Sequence, residues 1–283
     1  MSDSHDPVVL YEVDGPTAVI TLNRPHAMNA WTGEMDGLMK AALDEAVNDR
    51  NVVGIVITGA GRAFCAGADL KALDALSSGD PDEAGDIATG GGSGKPSWAD
   101  YDGDFGGRFP MLMEVPKPVI AAVNGAVAGM AFPLTLCCDL RFVSTDAVFL
   151  TAFAQRGLIA EWGLSWLLTG LVGPGRALDL LFTSRKVRGE EAHALGLAEY
   201  LCEPDQLLAE AKGYVERLAE GSSPLSMAVM KSQVYRHLHD GLGAAERESQ
   251  RLMVESFDHG DFAEGVQSFL QKRPPKFERL PLD

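Results

Sequence analysis

Two uninterrupted apolar runs, each followed by a glycine-rich turn, restrict what this chain can fold into. VVGIVITG covers residues 52–59 and KPVIAAVNG covers residues 117–125. Continuous runs of this kind are typical of strands that are buried on both faces, as in the interior of a parallel sheet. Between the chain start and the first run, residues 33–48 carry apolar side chains at helical spacing and follow Thr32, a residue type that caps helices. Strand and helix patterns alternate, which predicts an α/β fold built from βα units.

The remaining patterns divide the chain into a mixed part, residues 1–203, and a helical part, residues 204–283. In the mixed part, two β-type runs at residues 8–13 and 17–22 flank an Asp-Gly-Pro turn and predict a hairpin. Further strand and helix patterns follow at residues 140–145, 147–151, 164–173, 174–184 and 189–196. The helical part predicts helices at residues 207–220, 224–239, 241–258 and 261–271.

Residues 74–108 differ from both parts. This segment is rich in Gly, Ser and Asp and has no periodicity of either helix or strand. More than about thirty such residues inside a compact domain are typical of a mobile lid, a binding loop or a disordered segment. We therefore expect a mobile loop over residues 74–108.

Charge and cysteine content exclude several function classes. The 24 basic and 40 acidic residues give a net charge of −16, which disfavours binding to nucleic acid or to an anionic membrane. No run approaches the roughly 20 apolar residues of a membrane helix, and the first residues have no secretory signal pattern. The cysteines form neither a CxxC pair nor a cluster with histidine, so we expect no metal site and a reduced, cytoplasmic chain with buried thiols. They are Cys65, Cys137, Cys138 and Cys202.

The two glycine-rich turns could carry chemistry. Glycine lets the backbone approach a ligand closely, and a helix that opens after such a turn has unpaired N–H groups. Two turns side by side could each direct one N–H at a developing negative charge, which is the arrangement of an oxyanion hole. From spacing alone, two ordinary strand-to-helix turns remain the alternative.

Five motifs in collinear order resemble the crotonase, or enoyl-CoA hydratase/isomerase, superfamily. The resemblance extends from about Val8 to Phe277, and the five together are far more specific than any one alone. The motifs are LNRPHAMNAW, AFCAGADLK, AAVNGAVAGMAFPLTLCCDLRF, GLIAEWGLSWLLTGLVGPGRALDLLFTSR and KRPPKF.

The resemblance implies a crotonase-like spiral of ββα units with a C-terminal helical trimerisation domain. It implies a homo-oligomer, either a trimer or a dimer of trimers, and an acyl-CoA thioester as substrate. Coenzyme A would then be part of the substrate, with no permanently bound cofactor. By motif position, the oxyanion donors would be the N–H groups of Ala68 and Met130, although relatives commonly carry glycine where Met130 stands.

The same motifs imply residues that contact the substrate. A basic cluster of Arg24 and a neighbouring subunit's Lys272 would bind the nucleotide phosphates, and Phe269 would lie near the adenine. Asp69, which follows the first donor, is interpreted mainly as turn-forming. The remaining candidates for contacts with the substrate or coenzyme A are His26, Ala27, Ala66, Gly67, Leu70, Gly129, Phe153 and Trp162.

The carboxylates indicate the reaction. Hydratases of this family use two glutamates, whose positions are occupied here by Pro133 and Phe153. The third position that relatives use for an acid carries Glu161, in the motif GLIAEWG. An isomerase-like proton shuttle through Glu161 is therefore favoured. The alternatives are a true hydratase with atypical residues, an acyl-CoA hydrolase or dehalogenase-like enzyme, and a non-catalytic paralogue that binds acyl-CoA.

Overall fold

The structure, a computed structural model, describes residues 6–78 and 105–281. It begins with the predicted hairpin, formed by the antiparallel strands β1 (Val9–Asp14) and β2 (Thr17–Leu22). Helix α1 (Gly33–Asn48) follows, and the Thr32 hydroxyl accepts a hydrogen bond of 3.2 Å from the Met35 N–H. The predicted cap and helix are therefore confirmed.

Two sheets make up the centre of the molecule. The larger has the order β1-β2-β3-β5-β7-β10, and every pair in it except β1 and β2 is parallel. Its later strands are β3 (Gly54–Gly59), β5 (Val119–Val123), β7 (Leu140–Ser144) and β10 (Tyr200–Cys202). The smaller sheet contains, in order, β4 (Ala63–Cys65), β6 (Ala126–Ala128), β8 (Val148–Leu150) and β9 (Val187–Arg188).

Strands β3, β5 and β7 of the larger sheet are each followed by a short strand of the smaller sheet and then by a helix. This repeat gives β3-β4-α2, β5-β6-α3 and β7-β8-α4, and it confirms the α/β spiral of ββα units. The helices are α2 (Leu70–Ser78), α3 (Ala131–Leu136) and α4 (Leu164–Val172), followed by α5 (Pro174–Thr183) and α6 (Gly189–Leu195). Of the short strands, β8 confirms the strand predicted at residues 147–151. Strands β4 and β6 were not predicted, because three apolar residues beside a glycine-rich turn cannot be told from the turn itself.

Four helices close the chain. They are α7 (Leu207–Gly221), α8 (Pro224–His237), α9 (Leu242–Ser256) and α10 (Gly260–Gln271), within a few residues of their predicted bounds. Helix α7 packs on the larger sheet, where its buried Ala211 and Val215 join Val56, Ile120 and Phe142. In contrast, α8, α9 and α10 expose many apolar side chains. Within residues 6–78 and 105–281, none of the helices has both the length and the apolar character of a membrane span.

The predicted mobile loop over residues 74–108 is wrong at both of its ends. Residues 74–78 complete α2, in which Ala75 is buried. At the other end, Phe105 and Arg108 are 8% and 6% exposed and are packed into the core of the molecule. The burial of these two residues was not predicted, because one aromatic and one basic residue among glycines form no helical or strand periodicity. The rest of the predicted loop, residues 79–104, lies outside the described residues.

Candidate active site

The first glycine-rich turn carries the backbone N–H of Ala68, the first of the two expected donors. Trp31 N donates to Gly67 O at 2.7 Å, and Asp69 N donates to Trp31 O at 3.1 Å. These two bonds bracket Ala68 in a short parallel bridge with Trp31, so the Ala68 N–H is directed away from Trp31. It donates to no acceptor in the described parts of the chain.

The second glycine-rich turn carries the backbone N–H of Met130, the second expected donor. Met130 is the N-cap residue of α3, so its N–H precedes the helical hydrogen bonds. Gly129 before it has a left-handed backbone with φ of +52°, and its own N–H donates to Leu150 O at 3.2 Å. Among residues 6–78 and 105–281, nothing accepts a hydrogen bond from the Met130 N–H.

The two turns lie against each other. Strands β4 and β6, which lead into them, are paired in parallel, with Ala63 opposite Ala126. A Cβ atom added to Gly67 would lie only 2.8 Å from the Ala128 carbonyl oxygen, which shows how closely the turns approach. The two N–H groups, neither of which has an acceptor among the described residues, therefore occur at equivalent positions of successive ββα units. An arrangement of this type can stabilise an oxyanion.

The segment before α1 braces the first turn. Asn29, which is fully buried, donates to Ala60 O at 2.9 Å and to Ala63 O at 2.8 Å. Its side-chain oxygen accepts a bond of 2.8 Å from Arg24 N. This structural role of Asn29 was not predicted. The asparagine in the motif LNRPHAMNAW was the residue that could have indicated it.

Arg24 is held inside the protein rather than free for a ligand. Its guanidinium lies 2.9 Å from Asp69 Oδ2 and donates to Ala30 O at 2.5 Å. Asp69 also accepts a bond of 3.0 Å from the Lys71 N–H, which supports its interpretation as a turn-forming residue. Much of the charge that Arg24 was expected to offer to phosphates is therefore compensated by Asp69.

The other predicted contact residues differ in how they are bonded to these turns and in how exposed they are. Ala66 N donates to Met28 O at 3.0 Å, which ties the first turn to the motif around His26. His26 and Ala27 lie in a short helical turn, Pro25–Ala27, with His26 exposed. Leu70, the first residue of α2, is 75% exposed.

Glu161 lies in the turn just before α4, two residues ahead of the N-cap residue Gly163. Partial burial raises the pKa of the Glu161 carboxyl above its ordinary value, and a hydrogen bond from the Trp162 side chain acts in the opposite direction. A raised pKa makes the ionised carboxylate a stronger base, which favours its use in proton transfer.

Trp162 adopts a left-handed backbone with φ of +55°. For a non-glycine residue this conformation costs about 1–2 kcal/mol, so the surroundings of Trp162 must hold it in place. Its ring packs edge-on against Phe109 with centroids 5.9 Å apart, and Phe109 packs in the same manner against Trp31 at 5.4 Å.

The two positions where hydratases carry glutamate are filled by apolar residues. Pro133 lies in the first turn of α3, where the missing N–H of proline costs little. Phe153 is 4% exposed and precedes a short helical turn, Ala154–Arg156. Neither side chain can exchange a proton.

Cys65 lies next to the first turn but is not a nucleophile candidate. It is fully buried in β4, and burial raises the pKa of its thiol to about 12. All four cysteines are buried and unpaired, as predicted.

Phe269 and Lys272 lie at the end of α10. Phe269 is 82% exposed, and Lys272 is also exposed. Elsewhere, His237, Asp240 and Glu248 place one possible metal-ligand atom each within 4.8 Å of one another. The contact of 3.1 Å between His237 Nε2 and Glu248 Oε2 accounts for this cluster without an ion.

Comparisons with known proteins agree on one family. The family model for enoyl-CoA hydratase/isomerase matches residues 12–280. A probable enoyl-CoA hydratase of Rhizobium meliloti (strain 1021) is 35% identical over 95% of this chain and 97% of its own. The 1,2-epoxyphenylacetyl-CoA isomerase of Escherichia coli (strain K12) is 30% identical, with the same coverage. The crystal structure of an enoyl-CoA hydratase from Polaromonas sp. JS666 superposes with a TM-score of 0.83 at 29% identity and covers 95% of this chain and 99% of its own.

Proposed function

The chain belongs to the enoyl-CoA hydratase/isomerase family, and we propose that it isomerises an enoyl-CoA thioester by moving a proton through Glu161. Its substrate class is an acyl-CoA thioester, in keeping with that family. The observation that carries the proposal is the set of side chains at the family's three carboxylate positions. Pro133 and Phe153 are unable to transfer protons, which leaves Glu161.

The two backbone donors define how the thioester would be bound. Its carbonyl oxygen accepts hydrogen bonds from the Ala68 and Met130 N–H groups, which have no partner among the described residues. Polarisation of this carbonyl makes the protons on the adjacent carbon acidic, and the same two donors stabilise the resulting enolate oxygen.

Glu161 would then act twice. With a 3-enoyl thioester, the ionised carboxylate removes a proton from C2, and the electrons delocalise as a dienolate over the thioester and the double bond. The protonated carboxyl returns that proton to C4, which gives the 2-enoyl isomer with no net gain or loss of atoms. The raised pKa of Glu161 suits both steps, because the group must accept and release a proton within one turnover.

The isomerase favoured here is distinguished from the other candidates by product mass. Purified protein is incubated with matched panels of 2-enoyl- and 3-enoyl-CoA thioesters. We expect a product of unchanged mass from the 3-enoyl substrates. A mass gain of one water would identify a hydratase, free coenzyme A would identify a hydrolase, and binding without turnover would identify a non-catalytic acyl-CoA binder.

Glu161→Gln tests the role of the carboxylate. The amide keeps the shape of the side chain but cannot take a proton, so turnover of 3-enoyl-CoA should fall by about 10²–10⁴-fold. Binding of acyl-CoA should persist, as measured by calorimetry. Parental turnover in this variant would contradict the proposal.

We also propose that the protein forms a homo-oligomer through its last three helices, as a trimer or a dimer of trimers. Helices α8, α9 and α10 border an open groove of about 590 Å³, lined by apolar side chains that include Val229, Leu252 and Phe262. Leu242 and Leu270 are 87% and 68% exposed. Exposure of large apolar side chains to water is unfavourable, and an exposed apolar surface of this kind is typical of one that another subunit covers. Sedimentation equilibrium would measure the mass, and a monomer at micromolar concentration would contradict this part of the proposal.

A further inference from the structure

The carboxylate of Asp139 joins the end of helix α3 to helix α8. Asp139 lies three residues after Leu136, the last residue of α3. Its Oδ1 accepts a hydrogen bond of 2.8 Å from the Tyr235 hydroxyl, and its Oδ2 lies 2.8 Å from Lys231 Nζ. The side chains of Lys231 and Asp139 are only 9% and 17% exposed. Such a pair is costly to break, because removal of one partner leaves the other charge buried without compensation.

The Lys231 ammonium is bonded to the body of the molecule at two further points. It donates to Leu112 O at 2.9 Å and to Lys117 O at 3.2 Å. With Asp139, each of its three hydrogens therefore has an acceptor. One charged group of α8 thus holds together the segment before β5 and the end of α3.

Tyr235 lies one helical turn after Lys231 and packs against the core. Burial raises the pKa of the Tyr235 hydroxyl, and the charge of Asp139 adds to this effect, so the hydroxyl remains a donor at neutral pH. Met230 and Val234 of the same helix are each 60% exposed, and Met230 lines the groove between α8, α9 and α10. Helix α8 therefore has one face bonded to the core and one face exposed.

Helix α3 carries the Met130 N–H at its opposite end. Every residue of α3 is buried, and Met130 is its N-cap residue. Phe132 N donates to Gly129 O at 2.9 Å, and Cys137 N donates to Pro133 O at 3.0 Å, so hydrogen bonds run from one end of the helix to the other. Because protein interiors are close-packed, a displacement at one end of so short a helix also moves the other end.

We infer that Asp139, Lys231 and Tyr235 are positioning residues, which fix α3 from α8 and so set the place of the Met130 N–H. The C-terminal helices then complete the oxyanion hole of their own chain, although neither glycine-rich turn belongs to them. A displaced donor would stabilise the enolate oxygen less, while most of the contacts that bind the substrate would persist. This inference rests on the proposed role of Met130.

Two contacts from the spiral hold the same end of α3. Val119 N of β5 donates to Asp139 Oδ2 at 2.7 Å, and the Arg141 guanidinium of β7 donates to Cys138 O at 2.8 Å. Both contacts remain when α8 is altered. Loss of a contact from α8 should therefore displace α3 in part and leave it folded.

Tyr235→Phe tests the link with the smallest change, because it removes one hydroxyl and keeps the ring. A misplacement of about 1 Å can cost about 10²-fold in rate, and the contacts from the spiral limit the displacement, so kcat for 3-enoyl-CoA should fall by roughly three- to tenfold. KM should change less than about twofold, since the donor acts mainly in the transition state.

Tyr214→Phe is the matched control. Tyr214 lies on α7 and packs on Phe142 with ring centroids 5.8 Å apart. Its hydroxyl makes no hydrogen bond within residues 6–78 and 105–281, so kcat should remain parental. A parental kcat in Tyr235→Phe, or an equal fall in both variants, would overturn the inference.

Lys231→Met removes the cation of the link. The Asp139 carboxylate then loses its partner, so kcat should fall further than in Tyr235→Phe, by roughly 10²-fold. Lys212→Met is its control, because Lys212 of α7 pairs with Asp14 of β1 and has no contact with α3. Circular dichroism verifies folding, and if Lys231→Met does not fold, Tyr235→Phe decides the question. Equal falls in folded Lys231→Met and Lys212→Met would contradict the link.

Hydrogen–deuterium exchange separates positioning from general stability. In Tyr235→Phe, the amides of α3 should exchange faster than in the parent, while those of β2 and β3 keep their parental rates. The same acceleration over all of these elements would assign Tyr235 a structural role only and would overturn the inference.

An infrared difference spectrum separates this inference from the proposed function, because it needs binding but no turnover. A saturated acyl-CoA labelled with ¹³C at the thioester carbonyl is bound to each protein. The two donors should lower the carbonyl stretching frequency in the parent, and Tyr235→Phe should lose part of that shift. A parental shift in Tyr235→Phe would contradict only the positioning role. An unshifted carbonyl in the parent, together with faster exchange of α3 in Tyr235→Phe, would contradict only the proposed donors.

Discussion

At the scale of single residues, Met130 has two separable properties. Its side chain is buried in the core, whereas its N–H has no acceptor within the described residues. Only the N–H would contact the thioester oxygen, so a glycine and a methionine are equivalent as donors at this position. The methionine side chain would then affect the shape of the acyl pocket rather than the chemistry.

Met130→Pro should remove one donor of the oxyanion hole. Loss of one such donor typically costs about 2.7–4 kcal/mol of transition-state stabilisation, so kcat should fall by roughly 10²–10³-fold. Steady-state kinetics with a 3-enoyl-CoA would measure this, and circular dichroism would verify that the variant folds.

Met130→Ala serves as the control for that experiment. It removes most of the side chain and keeps the N–H, so kcat should remain within about tenfold of the parent. If a folded Met130→Pro variant turns over as fast as Met130→Ala, the Met130 N–H is not a donor to the thioester.

At the scale of elements, the distance between the two turns determines whether their N–H groups can act together. Gly67 has φ of +94° and leaves only 2.8 Å between a would-be Cβ and Ala128 O. Gly129 has φ of +52°, but a Cβ there would meet nothing within 4 Å. The two glycines therefore share a left-handed backbone and differ in the space around them.

Gly67→Ala should cost more than Gly129→Ala. Each variant incurs the strain of a left-handed alanine, about 1–2 kcal/mol, and only the first also pushes the two turns apart. We expect Gly67→Ala to lower both the free energy of unfolding and kcat, and Gly129→Ala to affect mainly stability. Urea unfolding and steady-state kinetics measure the two quantities. Equal losses of kcat would mean that the spacing of the turns does not matter.

The elements that could be predicted are those whose own sequence carries a period or a run. The hairpin, α1, the long parallel strands and the C-terminal helices were predicted in this way. Strands β4 and β6 were not, because three residues are too few for a period and they form only by pairing with each other. Arg108 was assigned to a loop because its partners, Asp36 and Trp162, are distant in sequence and are brought together only by the fold.

In the candidate site, too, some features were predictable from local motifs and others depend on the tertiary fold. Motif resemblance indicated Ala68, Met130 and Glu161, but the free state of the two N–H groups depends on tertiary hydrogen bonding. The ion pair between Arg24 and Asp69 was also missed, because no local pattern indicates which charges will meet. Spacing could not predict that the two turns belong to successive units of one repeat.

At the scale of the whole molecule, a net charge of −16 opposes the phosphates of coenzyme A. With Arg24 compensated by Asp69, the exposed Lys272 at the end of α10 becomes the more important of the two expected cations. We expect the affinity for free coenzyme A, measured by calorimetry, to fall several-fold between about 0.05 M and 0.3 M salt, because local attraction is screened.

Lys272→Ala should weaken binding of coenzyme A and flatten this salt dependence, with kcat little changed. Lys186→Ala is the matched control, because Lys186 is also exposed but lies between α5 and β9. An affinity for coenzyme A that is independent of salt in the parent, or an equal effect of both variants, would contradict a role for Lys272.

The N–H groups of Ala68 and Met130 belong to the backbone, which has a consequence for how such a chain can diversify. A donor that belongs to the main chain survives almost any replacement of its own side chain, as methionine at position 130 illustrates. The proton carrier, in contrast, is one carboxylate that a single codon change can remove or that another position can supply. Related chains should therefore share the thioester substrate more often than they share the reaction. Laboratory evolution can change the reaction by moving one acidic residue to another position, with the fold unchanged.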